Sequence, residues 1–464
     1  MGSSGTAATT REAWGPEKVA PTRRSTRRPP RVTVDILLTL AAVGFGISLA
    51  LVMTTESWSA IHASGGWWLL VTRLSGMAGG YGLAILVLLI ARLPWLERIA
   101  GQDQLVRWHR SLAPTTYWLV ALHIAASLLA YGAMQQASVW KQLLDFIRHY
   151  PDMLSALVGF GLLTMAAATS IRQARHALKY ETWWTVHLYT YLGLAFTFFH
   201  QIRTGVMFAG HPLATAGWEA FWAGVPLLVI GLRVGVPLLR NAQWQLRVES
   251  VTSDAPGVVV VKVKGRGLDR MHVDGGQFFQ WRFLARGLWW HAHPYSLSAL
   301  PRPPYIRCTV KGLGDHSRAI ASLRPGTRVF VEGPYGAFTR HASRTNNVVL
   351  IGAGVGTPPL RSLLEDLPES THVTVILRGS SGDDIVHRDE MKAFVESRNG
   401  SYFEIIGSRN EAPLTAASLK TMSPTIHKSD IFLCGPEGFM TDTRTILSQL
   451  RVPHSNIHFE SFAF

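Results

Sequence analysis

Four histidines occupy places where histidine is costly. His109 and His123 lie in an apolar run near residues 113–131 or in the turn leading into it, and His187 and His200 lie in another near 184–202. An ionisable ring in a stretch suited to hydrocarbon is a functional hypothesis by default. Fourteen residues separate His109 from His123; that spacing is about 21 Å of helix and returns within about 40° of the same face. Imidazole is a standard axial ligand of heme iron. Two such pairs, at matching depths in two helices, would hold one heme near each membrane surface. A single histidine would be read as a polar side chain satisfied within a bundle; four in this arrangement point to ligation. The 13-residue spacing from His187 to His200 turns the second ring about 140° off the first in an ideal helix. A tilt, a change of winding or differing rotamers is expected there. His62, His149, His176 and His211 lie in loops or at run ends and are read as ordinary.

A second group of motifs lies in the C-terminal half. His293-Pro294-Tyr295-Ser296-Leu297-Ser298 ends a probable strand and offers the cation-capable, aromatic and hydroxyl groups that suit a flavin. Gly312-Leu313-Gly314-Asp315-His316-Ser317 is placed to open a helix facing a pyrophosphate, and Glu332-Gly333-Pro334-Tyr335-Gly336 follows. Gly352-Ala353-Gly354-Val355-Gly356-Thr357-Pro358 differs from the G-x-G-x-x-G fingerprint. It still lets a phosphate approach backbone ahead of a helix whose first turn accepts Pro358. Cys434-Gly435-Pro436 ends a late strand beside which a nicotinamide would sit. Arg378, Ser380 and Arg409 follow sheet strands, where a 2′-phosphate would be bound. The aromatic C-terminus, Phe464, is a candidate to stack on the isoalloxazine.

These residues need two kinds of scaffold. The 464 residues carry a formal charge of +15 and a positive mean hydropathy. The basic residues are spread through the N-terminal tail and short loops between apolar runs, which excludes a nucleic-acid patch and fits a membrane protein. Apolar runs near 34–54, 67–92, 113–131, 152–171, 184–202 and 217–239 each approach the roughly 20 residues needed to cross hydrocarbon, predicting six transmembrane helices. The loops at 92–110 and 171–181 are rich in Lys and Arg, whereas those at 55–66, 132–150 and 203–216 are poor. Both termini are therefore expected on the cytosolic side of the cell membrane. That orientation places His109 and His187 near the inner surface and His123 and His200 near the outer one. Residues 1–32 read as a disordered basic cytosolic tail. Cys308 and Cys434 match no metal spacing, which fits a reducing compartment.

After Arg240 the pattern changes to short β-branched and aromatic runs, 258–263, 277–283, 306–310 and 328–331, as in an antiparallel β-barrel. From about 347, strands at 347–351, 372–377, 402–406 and 430–434 alternate with helical stretches, as in a parallel α/β sheet. The expected domains are 1–32, the tail; 33–241, a six-helix transmembrane di-heme domain; 242–343, a flavin-binding barrel; and 344–464, a nucleotide-binding domain.

Over roughly residues 34–464 these features resemble the ferric reductase and NADPH oxidase superfamily. There, a six-helix heme domain is fused to a ferredoxin-NADP reductase-like module. The resemblance maps heme ligation onto His109, His123, His187 and His200. It maps the flavin motif onto His293–Ser298, its phosphate contact onto Gly314–Ser317, the nucleotide loop onto Gly352–Pro358, and the C-G-P motif onto Cys434–Pro436. Phe464 corresponds to the flavin-stacking aromatic. Arg73, in the outer half of the second run, resembles an arginine near the outer heme that would meet a propionate or an anion such as superoxide. Ser127 stands where eukaryotic oxidases typically have a further histidine. The resemblance implies two b-type hemes, FAD, and NADPH as donor with NADH as the alternative. Electrons would pass from cytosolic NAD(P)H to an extracytoplasmic one-electron acceptor, a ferric complex or dioxygen. The alternative is an electron-transfer subunit serving a periplasmic or membrane protein partner.

Overall fold

A computed structural model of the chain describes Trp14 and residues 32–460. The chain divides into two compact units between Val234 and Gly235, and Trp14 belongs with the second. The expectations for the rest of the tail and for Phe464 lie outside the described residues.

Long helices coincide with all six apolar runs of the first unit: α1 (Val32–Met53), α2 (Gly66–Ile90), α3 (Gln102–Met134), α4 (Met153–Ser170), α5 (Tyr180–Thr204) and α6 (Pro212–Ile230). Among the described residues, five helical stretches are long and apolar enough to cross a membrane, and α5 is not one of them. Its 25 residues suffice for length, but Trp, Tyr and both histidines dilute its apolar character. α3 begins well before the apolar run, so His109 is inside the helix rather than in the turn before it, and Pro114 is carried in its interior. A π-helical turn, Gly231–Gly235, ends α6, and a short helix, Val236–Trp244, follows.

Glycines set how closely these helices approach. A Cβ on Gly79 of α2 would come within 2.9 Å of Val120 on α3, and one on Gly82 within 2.7 Å of Thr116. Gly159 of α4 and Gly193 of α5 face each other in the same way. Large apolar side chains, including Leu40, Ile47, Trp118, Leu227 and Ile230, point outward and are exposed. In water such a surface would be an aggregation liability; in lipid it is the ordinary outer face of a helix. The first unit is a membrane domain.

The second unit begins with two three-stranded antiparallel sheets built from β1 (Arg247–Ala255), β2 (Val258–Lys264), β3 (Phe278–Phe283), β4 (His293–Ser296), β5 (Tyr305–Lys311) and β6 (Val329–Tyr335), in the orders β1-β2-β5 and β4-β3-β6. Isolated bridges, Leu297 to Cys308 and Arg247 to Arg328, link the two sheets. Alternation puts Val261, Val263, Phe279, Trp281, Ile306 and Cys308 into a shared core. A five-stranded parallel sheet follows, formed by β7 (Asn347–Ala353), β8 (His372–Gly379), β9 (Ser401–Ile406), β10 (Asp430–Cys434) and β11 (Ile457–Glu460), in the order β11-β10-β7-β8-β9. Apolar clusters cover both of its faces, with α7 (Thr357–Asp366) and α8 (Arg388–Glu396) on one and α9 (Glu437–Gln449) on the other. β1 and β11 are missing from the sequence reading. β1, with its Glu, Ser, Thr and Asp, lacks a clean apolar alternation, and β11 has four residues.

Candidate functional site

Within the membrane domain the four histidines form two facing pairs. The ring centroids of His109 and His187 are 6.3 Å apart, and those of His123 and His200 are 6.4 Å apart. A metal–imidazole bond of about 2 Å on each side, with the ligating nitrogen roughly 1.2 Å from its ring centre, calls for about 6.4 Å. The donor set therefore fits an iron held between two imidazoles at both levels. α5 runs unbroken through His187 and His200, so the 13-residue spacing is accommodated without a break in winding.

The α3 histidines have their tautomers fixed. His109 Nδ1 lies 3.1 Å from the Leu86 carbonyl and His123 Nδ1 lies 2.8 Å from the Thr72 carbonyl, both on α2. A carbonyl only accepts, so each Nδ1 carries the hydrogen and each Nε2 presents its lone pair. Nδ1 of His187 is buried without a hydrogen-bond partner among the described residues. Gly76 lies against the His123 ring, where a Cβ would come within 2.6 Å of Nδ1. The sequence reading missed this support. The glycine-dense segment Ser75-Gly76-Met77-Ala78-Gly79-Gly80-Tyr81-Gly82 was its visible signal.

His123 and His200 border a cavity of about 350 Å³, also lined by Arg73, Ser127, Gln201 and Phe208. Arg73 is ion-paired with Glu56, whose side chain is buried. The cation expected to attract an anion is thus matched by a carboxylate that the sequence reading overlooked. Trp218 donates to Gln201 at 3.0 Å, and Gln201 donates to the Thr197 carbonyl at 2.9 Å. Arg203, at the same cavity, pairs with Asp152 at 3.1 Å and remains well exposed.

In the second unit, β4 displays the His293–Ser298 motif beside β3, with Phe278 opposite Ser296 and Trp281 opposite His293. Trp281 donates to the Tyr295 carbonyl at 2.9 Å and fixes the strand from inside. His293 Nε2, Ser296 Oγ and Ser298 Oγ are buried without a protein partner among the described residues. Buried polar atoms are ordinarily satisfied, so these are the atoms a flavin would complete. Burial pushes the Tyr295 hydroxyl well up, and burial followed by the neighbouring His316 and His291 pushes His293 down. The Gly314 amide and Ser317 hydroxyl bond each other at 2.9 Å at the start of the Asp315–Ala319 turn.

The glycine loop divides its work. Cβ atoms on Gly352 and Gly356 would come within 2.6 Å of Leu360 and 2.1 Å of the Cys434 carbonyl, so these two serve packing. Gly354, at φ +55°, faces open space, which leaves its backbone accessible to a phosphate. Thr357 and Pro358 then open α7. β10 delivers Cys434 beside Gly352, and Gly435 and Pro436 lead into α9. The Cys434 thiol is fully buried, approaches the Glu460 carbonyl at 3.5 Å and is raised well above its ordinary value by burial. Burial thus holds the thiol in its neutral form. Arg378 and Arg409 differ. Arg378 donates to the carbonyls of Ala412 at 2.7 Å and Ser408 at 3.0 Å, bracing that loop, whereas Arg409 is exposed and only 3.5 Å from Asp442.

The sequence comparisons agree with this division. Residues 75–198 match the family described as the ferric reductase like transmembrane component, and residues 350–445 match the oxidoreductase NAD-binding domain. The chain is 28% identical over 158 residues to NADH-cytochrome b5 reductase 1 of Laccaria bicolor, covering 31% of this chain and 51% of that protein. It is 28% identical over 197 residues to a flavohemoprotein of Bacillus cereus, covering 37% and 48%. It is 23% identical over 273 residues to an NADPH oxidoreductase of Mycobacterium tuberculosis, covering 53% and 69%. The match spans about half the length of the first two relatives. The chain joins a ferric reductase-like transmembrane region to an oxidoreductase NAD-binding region.

Proposed function

We propose that this protein is an NAD(P)H-dependent transmembrane oxidoreductase, carrying electrons from the cytosolic side through FAD and two b-type hemes to a one-electron acceptor outside. The observation that carries this reading is the pair of imidazole separations, 6.3 and 6.4 Å, repeated at two levels of the same two helices. When bound, the flavin supplies the conversion of a hydride into single electrons, and heme iron supplies one-electron transfer.

The chain's own residues have separate tasks. His109 and His187 hold the inner heme; His123 and His200 hold the outer one. The α2 carbonyls keep the Nε2 atoms of the α3 rings available. His293, Pro294, Tyr295, Ser296 and Ser298 bind the flavin, with Gly314 and Ser317 toward its phosphates. Gly354 presents its backbone to the nucleotide pyrophosphate, Gly352 and Gly356 pack the loop close against its neighbours, and Thr357 and Pro358 open α7 behind it. Cys434, Gly435 and Pro436 shape the nicotinamide floor without donating or accepting a proton. Arg409 faces the 2′-phosphate of NADPH, with Arg378 holding the adjoining loop in place. Arg73, compensated by Glu56, lines the cavity between His123 and His200 that the outer heme would fill, where it could meet a propionate.

Purified holoprotein given NADPH tests the reading. Rapid reduction of a ferric chelate identifies a ferric reductase. Cytochrome c reduction suppressed by superoxide dismutase identifies an oxidase. Heme reduction with neither product identifies an electron-transfer subunit. Absence of NAD(P)H-driven heme reduction overturns the proposal.

A further inference from the structure

The junction between the antiparallel and parallel parts of the second unit contains a buried ionic network. Arg307 forms a bidentate pair with Glu390 at 2.7 Å on both arms; Arg361 pairs with Glu365 and, at 2.8 Å, with Glu390; Arg302 pairs with Glu365 at 2.8 Å. Arg302 and Arg307 come from the antiparallel part, whereas Arg361 and Glu365 lie on α7 and Glu390 on α8. Three guanidiniums thus share two carboxylates. Arg361 is fully buried, and Arg307 is 3% exposed. Cations withdrawn from water to this degree need further electron-rich partners.

Trp14 supplies them. Its indole lies 4.8 Å from the Arg307 guanidinium and 5.4 Å from that of Arg302, and its backbone carbonyl accepts from Arg361 Nη2. The residue is 2% exposed. A tryptophan face is the best aromatic partner for a desolvated cation, and a carbonyl accepts what the carboxylates leave over. Tyrosine or leucine would serve less well on both size and charge grounds.

We infer that the N-terminal tail docks through Trp14, in cis, onto this arginine network and fastens the two halves of the reductase module to one another. The partner is this chain's own tail, and the contact adds one element to the module from beyond the membrane domain in sequence. Arg361 lies one turn after Thr357, where α7 opens below the glycine loop, so the clasp bears on the helix that presents the nucleotide site. Docking in cis also requires the tail and the reductase module to share one side of the bilayer, as the distribution of loop charges expects. This inference is independent of which acceptor receives the electrons.

Limited trypsin digestion of the purified full-length holoprotein, followed by mass spectrometry, reads the docking directly. Lys18 lies four residues from Trp14, and Arg24 lies ten away and serves as the internal reference. Cleavage after Lys18 is expected to be slower than after Arg24 by about tenfold, the scale on which a locally stable contact protects backbone. Trp14→Ala is expected to erase that difference while cofactor content is unchanged, and Trp14→Phe to retain part of it. A synthetic peptide of residues 5–25, added in excess, is expected to expose Lys18 in the wild-type chain, and the same peptide with Trp14→Ala to have no effect. Equal cleavage at Lys18 and Arg24 in the wild type, or protection that survives Trp14→Ala, overturns the inference. Protection that vanishes on dilution overturns docking in cis, because it requires a second copy.

Discussion

The membrane domain and the reductase module fix their working groups by opposite means. In the membrane domain, the α3 histidines are oriented by backbone carbonyls of α2, and the approach is set by glycines such as Gly76. Hydrocarbon offers no water to satisfy a displaced polar group, so a carbonyl already present in a neighbouring helix is the economical partner. In the reductase module, strand ends carry the groups and ionic side chains hold the frame, as in the Arg307–Glu390–Arg361 network. Burial alone would raise Asp430, yet hydrogen bonds from His458 and from the Arg344 and Thr345 amides bring it to about 2. Precision in the first unit comes from helix separation; in the second it comes from compensated charge.

The largest expected effect breaks the first half of that contrast. His123→Leu or His200→Leu should remove one heme per chain and leave the other, cutting transfer to the outer acceptor by at least about a hundredfold, beyond the range typical of losing a supporting group. Heme-to-flavin ratio and acceptor turnover check it. Gly76→Ala comes next. Its Cβ would press on the His123 ring, and heme retention at the outer site should fall about tenfold while flavin content stays constant. A glycine replacement without effect would show that helix separation does not set ring position.

On the reductase side the effects are smaller and graded. Ser296→Ala should weaken FAD by about 1–2 kcal/mol, roughly tenfold in Kd, as for loss of one buried hydrogen bond; titration of the flavin-stripped protein measures it. Arg409→Ala should raise the KM for NADPH several-fold, on the order of 1 kcal/mol, and leave NADH little changed. Equal effects on both nucleotides would remove the case for Arg409 as the 2′-phosphate contact. The smallest effect is electrostatic. Burial, and then Arg307, lower His387 from 6.5 to about 4. The unfolded chain binds that proton near 6.5 and the folded chain resists it, so this contribution to stability is complete above 6.5 and is lost as pH falls toward 4. Thermal melts followed by flavin release should show less loss between pH 7 and 5 in His387→Gln than in the wild type.

Much of this organisation is legible in the sequence for a physical reason. Hydrocarbon-length apolar runs and strands bounded by glycine or proline leave strong one-dimensional signals, and the four histidines stand out because hydrocarbon makes them expensive. What escaped was relational. Glu56 becomes the partner of Arg73 only once the loop after α1 is placed. The separate duties of Arg378 and Arg409 depend on a loop turning back to offer its carbonyls. Trp14, within a tail that reads as disordered, finds its partners almost 300 residues away, at Arg302 and Arg307. β1 was hidden by its polar residues, and α5 carries a weak membrane signal because Trp, Tyr and His residues dilute its apolar run.

The central claim is that α3 and α5 together hold two bis-histidine hemes in series with the flavin. The most direct test is the heme-to-FAD ratio of the purified protein, combined with its anaerobic reduction by NADPH, in the wild type and in His123→Leu. The account predicts two hemes per FAD, both reduced by NADPH, and one remaining heme still reduced in the variant. One heme or none in the wild type, or loss of all NADPH-driven heme reduction in the variant while its inner heme is retained, would contradict it.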